Sequence, residues 1–131
     1  MIHKIKGMKK DNGKAQSNKV GSFEIENAKS HVIVEIIEYV HNSVVIKTIF
    51  KKLTGNISIM SFDSGEGLME KKSPFDTFAQ IITGKAEVII DGKSNLMQTG
   101  EGVILPAHRS HSIKPNGQFK MILTVIKAGT E

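Results

Sequence analysis

The sequence predicts an all-β protein, an antiparallel sandwich or barrel, and three observations carry that prediction. From Ser43 onward, short runs rich in β-branched residues recur at intervals of roughly 10 residues. Turns bearing glycine separate them. One of those turns is Asp91-Gly92 between two apolar runs. A type I′ hairpin needs positive φ at both central residues, and this dipeptide supplies it.

Residues 1–30 are polar and rich in Lys, Asn, Gly and Ser. They read as a basic leader, partly disordered or docked on the body, ahead of a domain spanning 31–131. His31 to His41 is ambiguous. Val32, Ile33, Val34, Ile36, Ile37 and Val40 favour a strand by β-branching, yet Ile33, Ile36, Ile37 and Val40 also fit one helical face. A short helix and a strand packed on the barrel both stay open, and Asn42-Ser43 ends the segment. The run Ser43–Phe50 then reads as a strand. Asn56 to Phe62 follows, with Ile57, Ile59 and Ser61 on one face and Met60 and Phe62 on the other. Asp63 to Gly67 is a loop. Thr77 to Ile82 is a strand stopped by Thr83-Gly84. Ala86–Ile90 and Lys93–Met97 flank the hairpin turn. Thr99 to Gly102 turns the chain again, Val103 to Leu105 ends at Pro106, and Phe119 to Ile126 is apolar on both faces. Met60, Met97 and Met121 are most simply core residues.

Composition narrows the function. A chain of 131 residues suits one domain with one core. There is no cysteine, so disulfides and thiolate metal sites are excluded. No apolar run reaches the roughly 18–20 residues that a membrane span requires, and the basic N-terminus has no apolar stretch of the signal-peptide kind. The expected compartment is the cytoplasm, without membrane contact. The net charge of +5 resides in residues 1–20, where six lysines face a single acid, Asp11; the remainder is neutral. That arm carries no arginine and no aromatic residue to engage phosphates or bases, so no nucleic-acid partner is expected.

The second half resembles the cupin superfamily. Its first motif is a glycine, five residues, His-any-His, three or four residues, Glu, six residues and a glycine. This chain places Gly65, Lys71, Ser73, Thr77 and Gly84 at those spacings. The second motif is a glycine, five residues, Pro, one residue, Gly, two residues, His, three residues and Asn. Here it reads Gly100, Pro106, His108, His111 and Pro115, with Asn116 one place late. The segments Gly65-Glu66-Gly67-Leu68, Ser73-Pro74-Phe75-Asp76 and Leu105-Pro106-Ala107 are similar to those of small stand-alone cupins. The resemblance covers about residues 43–127 and implies a cupin double-stranded β-helix, a jelly-roll barrel, with an N-terminal extension.

The resemblance implies a metal held by two histidines, a glutamate and a further histidine. Lys71, Ser73 and Thr77 stand in three of those places, and His111 alone remains. A lysine ammonium repels a divalent cation, and hydroxyls are poor ligands for transition metals. No cofactor is therefore expected. The metal alternative is a divalent transition metal at His111 with His108, with Glu70 or Asp76 as the carboxylate. The four positions Lys71, Ser73, Thr77 and His111 are instead expected to line a pocket for a small, anionic molecule. Two rivals stay open: an enzyme, metal-dependent or using lysine and histidine for acid–base chemistry, and a structural barrel with a filled interior. The resemblance also implies a homodimer, with Val44–Phe50 and residues 31–40 as candidate contacts.

Overall fold

The computed structural model describes residues 2–4 and 24–127. The rest of the predicted leader, residues 5–23, lies outside the described residues, as do residues 1 and 128–131. The described strands are β1 (Ile2–Lys4), β2 (Val44–Lys52), β3 (Gly55–Phe62), β4 (Leu68–Lys71), β5 (Asp76–Thr83), β6 (Lys85–Ile90), β7 (Lys93–Gln98), β8 (Gly102–Leu105), β9 (His111–Lys114) and β10 (Phe119–Ile126). They form a six-stranded sheet in the order β1-β2-β3-β10-β5-β8 and a four-stranded sheet in the order β4-β9-β6-β7. Every pairing is antiparallel. Two facing antiparallel sheets give the sandwich or barrel that the turn spacing predicted, in the jelly-roll form that the resemblance implied.

Strand alternation decides which side chains enter the barrel. Along β5, Thr77, Ala79 and Ile81 are buried while Asp76 and Phe78 are exposed. Along β3, Met60 and Phe62 join Val88, Ile113, Phe119 and Met121 in the interior cluster. Phe62 and Phe119 are stacked there, with ring centroids 4.3 Å apart and planes inclined by 12°. Met60, Met97 and Met121 are buried in this cluster, as their composition suggested.

The opposite face of the large sheet has its own apolar layer. Ile37, Val45, Ile49 and Ile59 are buried together, flanked by Ile25, Ile33, Ile36, Val40, Ile57, Ile82 and Ile122. Residues 24–42 run across this face as a strap. Its only regular piece is a single 3-10 turn at Ile33–Glu35, so the segment is neither the helix nor the strand that the sequence left open. Its isoleucines follow the outer surface of the sheet instead of a helical repeat. A strap without regular structure must satisfy its carbonyls elsewhere. Lys47 Nζ donates to the Ile36 carbonyl at 2.7 Å, Lys120 Nζ to that of Val34 at 2.7 Å, and Ser61 Oγ to that of Glu38 at 2.9 Å. At its start, Ile25 donates its backbone N–H to the Ile49 carbonyl at 3.0 Å.

The turns behave as their residues require. Asp91 and Gly92 have φ of +50° and +80° and close the β6–β7 hairpin with Ile90 opposite Lys93. Gly84, the last glycine of the first motif, has φ of +94°, and a Cβ there would lie 2.6 Å from the Gln118 carbonyl oxygen. Only glycine fits that crossing.

Candidate functional site

His111 opens β9 and is the centre of the candidate site. Its Cα partners are Lys71 in β4 and Ile90 in β6. The β4–β9 ladder is irregular: Leu68 pairs with Ile113 and Lys71 with His111, so β4 carries one extra residue between the two pairs. Cross-strand partners share a face, so the Lys71 ammonium and the His111 ring belong to the same side of the small sheet. Their burial differs. His111 is 9% exposed, whereas Lys71 is exposed. Lys71 therefore sits at the rim and reaches solvent along its apolar stem.

The His111 imidazole is held neutral. Burial pushes its pKa below the usual histidine value, and the Lys71 cation pushes it the same way. The Arg109 carbonyl opposes the shift as the weakest of the three causes. Nδ1 is buried and has no partner at full hydrogen-bond geometry among the described residues. Buried polar atoms are nearly always paired, and leaving one unpaired costs about 1–3 kcal/mol.

The other predicted positions divide between barrel and loop. Thr77 is buried on the inward face of β5, from the sheet opposite His111. Ser73 lies in the β4–β5 loop, where its Oγ accepts the Phe75 backbone N–H at 3.1 Å. Its carbonyl accepts the His108 N–H at 2.6 Å. Ser73 thus fastens two loops together. His108 is exposed, with φ of +66°, at the place where the motif has glycine. The structure therefore turns His111 and Thr77 inward, sets Lys71 at the rim, and leaves Ser73 and His108 in the loops.

Two fasteners were not visible in the sequence. Arg109 pairs with Asp91, which also donates its N–H to the Ser110 carbonyl at 2.9 Å, anchoring the loop just before His111. Asp76 Oδ1 accepts the Ala107 N–H at 2.8 Å and ties the second motif to the first. Both link residues far apart in the chain, so no local spacing announces them.

The donor set does not suit a transition metal. The four motif positions offer one imidazole, an ammonium and two hydroxyls, one of which already serves its own loop. Among the described residues, no three His, Cys, Asp or Glu side chains cluster as a metal site would require. Glu70 is exposed, and the Asp76 carboxylate is turned to the Ala107 N–H, so neither completes the His108–His111 alternative.

No family model matches the sequence, and no curated protein does. Solved structures do. A cupin 2 conserved barrel domain protein from Leptotrichia buccalis shares 33% identity over 72% of this chain, with a TM-score of 0.69. The chain has the cupin fold. It spans 46% of the Leptotrichia protein's length. A cupin superfamily protein from Desulfitobacterium hafniense shares 24% identity, covering 82% of this chain and 98% of that chain, with a TM-score of 0.74. A conserved protein of unknown function from Streptococcus pyogenes is also 24% identical, over 86% of this chain and 100% of that chain, with a TM-score of 0.75. The latter two likenesses speak to the fold alone. No helix among the described residues is long and apolar enough to cross a membrane.

Proposed function

We propose that this protein binds a small anionic molecule at the barrel mouth, between His111 and Lys71, without a metal at the motif positions. One observation carries the reading: a buried imidazole with an unpartnered Nδ1 shares its face with a lysine at the rim. A carboxylate or phosphate oxygen accepts a hydrogen bond from a neutral imidazole N–H and pairs with an ammonium. Thr77 faces the same interior and adds a hydroxyl. A ligand that reaches Nδ1 would pair the one buried side-chain polar atom left without a partner among the described residues.

The test is a thermal-shift series with oxalate, succinate and inorganic phosphate on the wild type, Lys71→Met and His111→Leu. A ligand binding only the native state at 100 times its Kd stabilises it by about 2.7 kcal/mol. The expected result is a rise in melting temperature for at least one anion, reduced in Lys71→Met and absent in His111→Leu. An anion response of equal size in all three proteins would place binding elsewhere and refute the reading. A specific observation favours a second reading, a structural barrel: Phe62, Phe119, Ile81 and Met121 fill the interior with no exposure. Absence of any shift with all three anions, together with a wild-type stability unaffected by Lys71→Met, supports that second reading over the first.

A further inference from the structure

The fold sorts charge along the barrel axis. Outside residues 1–20 the chain holds equal numbers of basic and acidic side chains, so composition announces no cationic surface there. Antiparallel strands alternate their turns between the two ends of a barrel. One end gathers the β2–β3 turn, the β4–β5 loop, the β6–β7 hairpin, the β8–β9 loop and the end of β10. Contacts join them. The Lys127 N–H donates to the Thr54 carbonyl at 2.8 Å, and Lys127 Nζ lies 5.6 Å from the Phe75 ring centroid. The His108 and Asp91 N–H groups donate to the Ser73 and Ser110 carbonyls. Lys51 and Lys52 lead into the first turn, Lys71 and Lys72 into the loop, and Lys93 leaves the hairpin; Arg109 and Lys127 complete the set. Against them stand Glu70, Asp76, Asp91 and, beside β2, Glu24: seven cations to four carboxylates, a net of +3. Asp91 pairs with Arg109, and Asp76 Oδ1 accepts the Ala107 N–H. The opposite end carries Asp63, Glu66 and Glu101 in its turns, with Lys85 and Lys114 at the strand ends.

The cationic end also exposes apolar side chains. Leu53, at the tip of the β2–β3 turn, is 98% exposed, and Ile126, the Cα partner of Gly55, is 55% exposed. A Cβ at Gly55 would run into the Val125 carbonyl, so the turn lies tight against β10 and sets Leu53 beyond Ile126. We infer that this end of the barrel docks on an anionic lipid bilayer, Leu53 and Ile126 entering the headgroup layer and the lysines facing lipid phosphates. Lysines near an anionic membrane surface each favour binding, and an apolar tip framed by them adds insertion. The acidic turns at the far end are repelled by the same surface, which fixes the orientation. A nucleic acid fits this end less well. Bases are held by stacking on open rings and by arginine. Here Arg109 is paired with Asp91, and the Phe50 and Phe75 rings already face Lys52 at 5.4 Å and Lys127.

The test is cosedimentation of the full chain with vesicles of phosphatidylcholine alone and of an equal mixture with phosphatidylglycerol. Binding is expected to the mixed vesicles only, and it should weaken as salt rises. One lysine near such a surface is worth about fivefold in affinity, so the charge reversals Lys51→Glu and Lys93→Glu should each weaken binding about tenfold or more. Leu53→Ser should weaken it about fivefold. These side chains are exposed, so the variants keep the fold, checked by an unchanged far-ultraviolet spectrum. Lys85→Glu, at the acidic end, should change little. The six lysines of residues 1–20 are intact in every variant. Vesicle binding that survives Lys51→Glu, Lys93→Glu and Leu53→Ser is therefore carried by that segment and overturns the proposal. So does a wild type that does not bind the mixed vesicles, or one that binds a single-stranded oligonucleotide more tightly than them. His111→Leu, which removes the anion site proposed above, should leave vesicle binding unchanged, so the two readings fail separately.

Discussion

The two faces of the six-stranded sheet are both apolar, yet they are covered in different ways. The inner face is closed by a second sheet whose side chains interlock with it, and Phe62, Phe119 and Met121 have no exposure there. The outer face is covered by a strap with a single 3-10 turn, and only in part. A sheet brings its backbone hydrogen bonds with it, so the inner contact needs only apolar complementarity. The strap brings unsatisfied carbonyls, and the large sheet answers with Lys47, Lys120 and Ser61. Covering a sheet with irregular chain therefore demands long polar side chains at outward positions of otherwise apolar strands. It also leaves Phe78 and Ile104 exposed on that face.

The sharpest way to break this comparison is to cut each cover at its centre. Phe119→Ala removes one ring of the interior stack and should lower stability by about 3–5 kcal/mol, read from the midpoint of urea unfolding. Ile37 is equally buried, but it lies beneath the strap, which can settle inward. Ile37→Ala should cost about 2–3 kcal/mol, the low end of the range for such truncations. Equal losses in the two variants would show that the strap is as rigidly packed as the second sheet.

A smaller effect isolates the polar ties. Lys120→Met keeps the apolar stem but removes the donor to the Val34 carbonyl and the cation 5.0 Å from the Tyr39 ring centroid. The expected cost is about 1–2 kcal/mol, with amide exchange accelerated in residues 32–37 and unchanged in β6 and β7. Exchange that quickens equally everywhere would count against a locally tied strap.

The smallest effect concerns pH at the mouth of the barrel. The folded pKa of His111 lies below its unfolded value of about 6.5. The unfolded chain therefore binds the proton first as pH falls. The contribution of His111 to stability is fully present above pH about 6.5 and is lost progressively below it, toward the lower folded value. His111→Phe should flatten the stability profile in that window while leaving the acid limb near pH 4 and below. On that limb Asp63 contributes: hydrogen bonds from Gln118 and the Asn42 N–H hold its carboxyl below the usual aspartate value, so its stabilisation fades as pH falls through that range. An unchanged profile between pH 7 and 5 in His111→Phe would mean that the ring is not neutralised by its surroundings.

Much of the fold was legible from local chemistry. Alternation placed Met60 and Phe62 opposite Ile57 and Ile59, and the structure puts the first pair in the barrel and the second under the strap. Asp91-Gly92 foretold its turn because positive φ is a property of two adjacent residues. The site was less legible. The motif frame put Lys71, Ser73, Thr77 and His111 in one group, but spacing says nothing of a bulge in the β4–β9 ladder or of a loop that claims the Ser73 hydroxyl.

By itself, then, the sequence determined the antiparallel strands, their turns and the loss of the usual ligand set, because period-two patterning, glycine conformations and side-chain chemistry are local properties. Only the tertiary structure decided that residues 24–42 form a strap, that Lys71 is exposed and His111 buried, and that Phe78 and Ile104 stay exposed. Those outcomes depend on which surfaces meet across tens of residues, and the free energy of burial belongs to the assembled pair of surfaces and not to either segment alone.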